Sequence, residues 1–232
     1  MKYNKELLVE EHGSDAGIEK NLYTFNPKLP FQKTHMVLDD VKKINRRFMG
    51  GGMSQSYAAI YFFEYYFEAH RFDYIVEIGS QKGALSTYFA NLAGITEALF
   101  FDTFELYPDM VWNQRIHEGC GHWFKKLSDI SPFINFYHKD IFSDESYQHI
   151  KDNMEQFDRT FIFCDGGDKI KEFKTYAPLL KQGDRIGVHD FGLELGWNSI
   201  EETCREYFLI PDEPYVSSAL GLETTIAVFR KQ

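Results

Sequence analysis

Cysteine, positive charge and long apolar runs are all scarce in this 232-residue chain. Its three cysteines, Cys120, Cys164 and Cys204, are odd in number, far apart and never in a C-x-x-C pair. Reduced thiols in a cytoplasm are the expected state, not a disulfide framework. Lys and Arg number 25 against 35 Asp and Glu, a formal net charge of -10. Binding phosphates needs a concentrated positive field, so neither nucleic acid nor an anionic membrane is an expected partner. No run approaches the ~18 apolar residues of a membrane span. The opening "MKYNKELLVEEHGSD" lacks the apolar core of a signal peptide. No internal repeat or low-complexity segment is evident, and a cytoplasmic location is expected.

What is plentiful is aromatic: 17% of the residues, with 22 Phe and 14 Tyr. These read as bulky core and interface material more than as ligand-stacking groups. Residues 1–53 mix polar stretches with Pro27, Pro30 and "KKINRRF", and read as an irregular N-terminal arm with short helices. The basic cluster is a solvated face or a segment that orders over a ligand. After the "GGGM" break, "SQSYAAIYFFEYYFEAH" looks helical, with apolar residues on nearly every side. Such a helix is either buried or a homo-oligomer interface.

From residue 72 onward, short apolar runs alternate with helix-period segments. "YIVEIG", "ALFFD", "FINFYH", "TFIFCD" and "DRIGVHD" read as successive strands. Helix faces follow at Leu85, Tyr88, Phe89 and Leu92, then at Tyr147, Ile150, Met154 and Phe157. Further faces come at Phe173, Tyr176, Ala177 and Leu180, and at Ile200, Cys204, Tyr207 and Phe208. An extended piece near "PYVSS" and a last strand "TTIAVFR" close the chain. This alternation predicts a doubly wound, mostly parallel sheet covered on both faces, forming one α/β domain over residues 54–232.

In such a sheet, ligands bind beyond the carboxyl ends of the strands. The strand ends here read Glu77-Ile-Gly79-Ser80-Gln-Lys-Gly83, Asp102-Thr103, Asp140-Ile141, Asp165-Gly-Gly-Asp168 and His189-Asp190. Each carboxylate taken singly is as well explained by a helix cap or a solvated turn. Five in register point further. A glycine loop lets a polar chain approach the backbone, and helix N-terminal amides meet a carboxylate or phosphate. An acid ending the second strand fits a ribose diol, and an acid with a backbone amide after the third fits adenine. The ligand is then a dinucleotide or S-adenosylmethionine. The dinucleotide pattern G-x-G-x-x-G has Gln81 in place of its middle glycine; the E-x-G-x-x-x-G that stands here suits an amino-acid tail better.

These segments resemble class I S-adenosylmethionine-dependent methyltransferases. "VEIGSQKGALST" is similar to their first motif, "FFDTF" to their ribose-binding segment and "YHKDIF" to their adenine contact. "GGGMSQS" and "CDGGDKIKEFKTYAPLLKQGDRIGVHDF" look like the cephalosporin hydroxylase-like branch and related metal-assisted O-methyltransferases of small molecules. The likeness spans about residues 48–192. It implies a Rossmann-like seven-stranded sheet of order 3-2-1-4-5-7-6 with the last strand antiparallel. It also implies Glu77, Gly79, Ser80 and Gly83 at the methionine part, Asp102 with Thr103 at the ribose, and Asp140 with Ile141 at the adenine. Asp165 and Asp190 would be ligands of a divalent metal such as Mg²⁺. Asp168 stands where the branch often has His, and His189 where it often has an acid; imidazole is a poorer ligand for Mg²⁺ than a carboxylate.

Methyl transfer from a sulfonium needs an aligned, partly deprotonated acceptor. Either Mg²⁺ on Asp165 and Asp190 lowers the acceptor's pKa, or His189 takes the proton directly. The expected acceptor is a small molecule, a sugar or natural-product hydroxyl. The rival readings are a non-catalytic cofactor-binding scaffold and a nicotinamide-dependent oxidoreductase. His117, Cys120 and His122 have zinc-like spacing but no evident fourth ligand. Trp112, Trp123 and Trp197 are expected to pack, with Trp197 also a candidate for the acceptor pocket.

Overall fold

The computed structural model describes residues 71–80, 100–105, 134–212 and 225–232. It also describes Phe62, Phe63, Tyr66, Phe67, Ala69, His70, Leu85, Ser86 and Phe89. The N-terminal arm, Gly83, the His117/Cys120/His122 trio and "PYVSS" lie outside the described residues. Among those described, no helix is long and apolar enough to cross a membrane.

Five parallel strands come first: β1 (Tyr74–Ile78), β2 (Phe100–Glu105), β3 (Ile134–His138), β4 (Thr160–Cys164) and β5 (Arg185–Val188). A hairpin of β6 (Leu209–Pro211) and β7 (Ala227–Lys231) completes the sheet, with β7 antiparallel to both β5 and β6. The strand order is β3-β2-β1-β4-β5-β7-β6, as the resemblance implied. The direction of winding reverses between β1 and β4, so the crevice beyond their ends is the place a ligand fits. Residues of β1 and β4 are buried throughout, which explains their uninterrupted apolar runs.

Helices α1 (Asp144–Gln156), α2 (Lys169–Tyr176) and α3 (Trp197–Glu206) contribute to the core on one face. α1 starts where Ser143 accepts a hydrogen bond from Ser146 N, and buries Ile150 and Met154. α3 buries Ile200 and Cys204. Aromatic rings cover the opposite face: Phe63 meets Phe163 at 5.0 Å and Phe89 at 4.8 Å, and Phe72 stacks on Phe161 at 5.1 Å. Phe62, Phe63, Tyr66 and Phe67 are all buried within the chain. In β5, a Cβ on Gly187 would come within 3.0–3.1 Å of the Phe161 and Phe163 rings, so any larger residue there requires the ring layer to give by a few tenths of an ångström. Much of the aromatic excess is therefore packing. Tyr66 is anchored further by Asp212, whose Oδ2 accepts from its hydroxyl at 2.7 Å and from Arg185 Nε at 2.9 Å.

The structure departs from the sequence reading in places. β2 does not stop at Asp102 but runs to Glu105. Phe208, expected inward, is 66% exposed, because α3 ends at Glu206 and Phe208 turns out in a left-handed conformation. Trp197 stacks on Phe229 and lies outside the residues that line the cavity described below.

Two acids expected at a ligand are instead interior. Asp102 points to the α1 face, where Tyr74 OH donates to it at 2.7 Å, Asn135 Nδ2 at 3.1 Å and Asn153 Nδ2 at 3.2 Å. His149 Nε2 lies 2.9 Å away. Burial raises the Asp102 pKa, and these hydrogen bonds oppose the rise. On the other face, Glu77 Oε2 accepts from Thr103 Oγ1 at 2.7 Å and from Ser86 Oγ. Its Oε1 is buried with no hydrogen-bond partner among the described residues. Burial pushes the Glu77 pKa up to about 8 against the pull of those two hydroxyls.

Between an ordinary glutamate pKa and about 8, the folded state holds a proton at Glu77 that the unfolded chain has released. Unfolding then becomes easier as pH rises through that window. Glu77→Gln removes the titration. In chemical denaturation between about pH 5 and 8, the variant should gain on the parent with rising pH, by on the order of 3 kcal/mol across the range. A parent–variant difference that stays constant with pH would show that Glu77 is not protonated in the fold.

Candidate active site

The backbone builds the site before any side chain acts. Gly79 N and Ser80 N donate to Phe104 O at 2.9 and 3.3 Å, Asp165 N to Ile78 O at 2.9 Å, and His189 N to Cys164 O at 3.0 Å. Each bond extends the ladder just past a strand end, so residues 79, 105, 165 and 189 arrive along one edge. Gly79 has φ +90, and a Cβ there would lie 2.4 Å from Asp165 O and 2.6 Å from Gly166 Cα. Glycine is needed because the β4 loop crosses directly over it, whatever ligand binds. At Gly166, a Cβ would lie 2.2 Å from Glu172 Oε1.

Glu172 shapes that loop from within α2. Fully buried, it accepts from Gly166 N at 3.2 Å and from Asp168 N at 3.4 Å. Burial pushes its pKa up to about 7, and the two backbone bonds hold it down from going further. Asp168 returns the favour by capping α2, accepting from Lys171 N at 3.0 Å. Asp168 is thus a cap, and the reciprocal pair resembles a capping box.

Beyond these ends lies a cavity of about 460 Å³, lined by Gly79, Glu105 and Asp165 with Gly166 and Gly167 on one side. Lys169, His189, Asp190 and Glu194 complete it. His189 Nδ1 is 2.7 Å from Asp165 Oδ1 and 3.4 Å from Asp190 Oδ2. The shorter contact assigns the Nδ1 proton to Asp165, which leaves Nε2 as the basic nitrogen. Burial raises the Asp165 pKa, while the bond from His189 and its charge oppose that. Asp190 adopts φ +57, and its carbonyl accepts from Leu193 N and Glu194 N, both at 3.0 Å. This tight turn presents Asp190 and Glu194 together to Lys169, whose Nζ lies 3.2 Å from Asp190 Oδ2 and 2.7 Å from Glu194 Oε2. Burial pulls the Lys169 pKa down, but the bonds to Glu194 and Asp190 outweigh it and hold it above the ordinary value.

Of the residues singled out from sequence, Gly79, Asp165, His189 and Asp190 meet at this cavity. Ser80 is one step behind it, its Oγ 3.5 Å from Glu105 Oε2. Glu77, Asp102 and Thr103 do not line it, because all three are committed to the interior clusters described above. Asp140 is exposed, and its Oδ1 accepts from Phe142 N at 2.8 Å in the turn before α1. Ile141 is buried in the core, and its carbonyl accepts from Tyr176 OH. Neither lines the cavity. Missed altogether were Glu105, Lys169 and Glu194. For Glu105 a signal existed: "FFDTFE" keeps β-favouring residues through Thr103 and Phe104, so the strand had no reason to stop at Asp102.

No family model and no curated protein matches the sequence. Solved structures do match. A Podospora anserina methyltransferase bound to S-adenosylhomocysteine is 13% identical with a TM-score of 0.54, covering 100% of this chain and 98% of its own. A Geobacter sulfurreducens methyltransferase is 13% identical with a TM-score of 0.51, covering 94% and 96%. A Staphylococcus aureus protein, provisionally named a caffeoyl-CoA O-methyltransferase, is 14% identical with a TM-score of 0.50, covering 99% of both. At such identities the likeness is one of architecture. The chain has a Rossmann-like seven-stranded fold, and these methyltransferases share its architecture.

Proposed function

We propose that the protein transfers a methyl group from S-adenosylmethionine to a hydroxyl of a small molecule, a sugar or natural product. The observation that carries this reading is the meeting of Gly79 and Glu105 with the Asp165–His189 pair around one cavity at the switch point of the sheet. Glu105 takes over the ribose role first given to Asp102. It ends β2, lines the cavity and has Ser80 beside it. A carboxylate there accepts from both ribose hydroxyls. The methionine part then lies along the Gly79 edge. The shared fold with a methyltransferase bound to S-adenosylhomocysteine supports the same choice over a dinucleotide.

The chemistry follows from His189. With Nδ1–H held by Asp165, Nε2 accepts the acceptor hydroxyl's proton as its oxygen attacks the sulfonium methyl. The O–C bond forms, the S–C bond breaks, and its electron pair returns to sulfur to give neutral S-adenosylhomocysteine. Asp165 steadies the imidazolium that results. The acceptor's alignment in the cavity supplies the remainder.

A divalent ion was the other route. Asp165, His189 and Asp190 do offer donor atoms all within 4.8 Å of one another. Yet Asp165 already accepts from the imidazole, Asp190 is paired with Lys169, and one donor of the three is nitrogen. That set does not fit Mg²⁺, which prefers oxygen ligands in a near-octahedral shell.

Calorimetry with S-adenosylhomocysteine should show binding, and NAD should show none. Glu105→Gln should weaken that binding by about 1.5–3 kcal/mol, the scale of a hydrogen bond to a charged group. Asp102→Asn should leave it nearly unchanged, since Asp102 is committed to Tyr74, Asn135 and Asn153 inside the fold. The reverse ranking would return the ribose to Asp102. His189→Gln should lower methyl transfer by ~10²–10⁴-fold with cofactor affinity unchanged, and chelators should not affect the parent's rate. A rate abolished by chelation, with His189→Gln near normal, would contradict the base.

A further inference from the structure

Glu105, Asp165, Asp190 and Glu194 give the cavity four carboxylates, against Lys169 and His189 as its basic groups among the described residues. A metal ion bound among such acids would be the largest local charge. Here a side chain of the protein is already in position. Lys169 is the first residue of α2, and only 8% of its side chain is exposed. Its Nζ reaches Asp190 Oδ2 at 3.2 Å and Glu194 Oε2 at 2.7 Å. The same Asp190 Oδ2 lies 3.4 Å from His189 Nδ1, which is 2.7 Å from Asp165 Oδ1. A chain of polar contacts therefore runs Glu194–Lys169–Asp190–His189–Asp165.

Both ends of the Lys169 contact are held by backbone. On its own side, Asp168 and Glu172 fix the first turn of α2 through Lys171 N, Gly166 N and Asp168 N. On the other, Asp190 is kept at φ +57, a costly setting for a residue with a side chain, and its carbonyl ties down Leu193 N and Glu194 N. A second cation among Asp165, His189 and Asp190 would share the Asp190 carboxylate with the ammonium. At that range, in a partly enclosed site, like charges repel strongly.

We infer that Lys169 is the resident cation of this cavity, a tethered ammonium that satisfies Asp190 and Glu194 and keeps divalent ions out. Its place at Asp190 gives a metal-independent site the positive charge that a metal-assisted one takes from its ion. Only the catalytic consequence rests on the methyl-transfer reading: with the acceptor bound, the ammonium offsets the negative charge that grows on the acceptor oxygen as its proton leaves. The exclusion of ions is a property of the cavity alone.

Mn²⁺ titration tests it, read by the electron paramagnetic resonance of the free ion on the full-length protein without cofactor or acceptor. The parent and Lys169→Arg should bind Mn²⁺ only at millimolar concentrations or weaker. Lys169→Met should bind it at least tenfold more tightly, and adding Asp190→Asn to Lys169→Met should abolish the gain. Lys169→Gln replaces the Met variant should that one lose its melting transition. Tight Mn²⁺ binding by the parent, unchanged in Lys169→Met, would overturn the inference; so would a failure of Lys169→Met and Lys169→Gln to bind the ion any better than the parent. The methyl-transfer reading is judged separately, by S-adenosylhomocysteine binding to the same samples, and either result can fail without the other.

Discussion

The close approach of two backbones, Gly79 against Asp165 and Gly166, is the constraint on which the rest of the site depends. With a Cβ–O distance of 2.4 Å in prospect, no larger residue fits at position 79 without moving the β4 loop. Because the loop crosses there, Asp165 is delivered beside His189, and the end of β1 lies beside Glu105 at the end of β2. The crevice at the switch point is thus closed on one side by main chain and open to a ligand on the other. Glu172 maintains the crossing from below by taking the amide protons of Gly166 and Asp168. The glycines of this loop serve the fold first and the ligand second.

Carboxylates divide into two populations that the sequence does not distinguish. Glu77, Asp102, Glu172 and Asp184 are fully buried and have raised pKa values, each driven first by desolvation and held back by specific donors. Asp184, for example, accepts from Thr160 N and Lys181 N, both at 2.8 Å, and fastens the start of β4 to the turn before β5. Glu105, Asp190 and Glu194 meet basic or polar groups at the cavity instead. Glu172 and Asp184 hold loop amides, Glu77 and Asp102 tie neighbouring elements together, and the cavity acids face the crevice. The line between the two is drawn by the pleat: along β2, Asp102 and Thr103 fall on opposite covered faces, and Glu105 emerges at the end.

Much of the architecture was legible because a parallel sheet buried on both faces writes itself as short apolar runs. β1, β3, β4 and β5 each fell within a residue or two of the expected segments, and Phe173, Tyr176, Ala177 and Leu180 are indeed buried together. The misreading at β2 came from treating a carboxylate as punctuation. Asp102 is tolerated mid-strand because Tyr74 of β1, Asn135 of β3, and His149 and Asn153 of α1 converge on it, a partnership that local pattern cannot reveal. Lys169 was invisible for a similar reason. In sequence it is one lysine of "DKIKEF"; its meaning comes from Asp190 and Glu194, more than twenty residues away. The Asp165–His189 pair was recoverable because strands β4 and β5 are neighbours and both residues immediately follow them.

On the proposed reading, the adenosyl cofactor lies between Gly79 and Glu105 with its sulfur facing His189. A crystal structure grown with S-adenosylhomocysteine tests it most directly. The ribose hydroxyls should lie within hydrogen-bond distance of Glu105, the amino-acid tail along the Gly79 edge, and the sulfur on the side of the cavity that His189 lines. Ligand density at another crevice, or a ribose held away from Glu105 while His189 faces solvent, would contradict it.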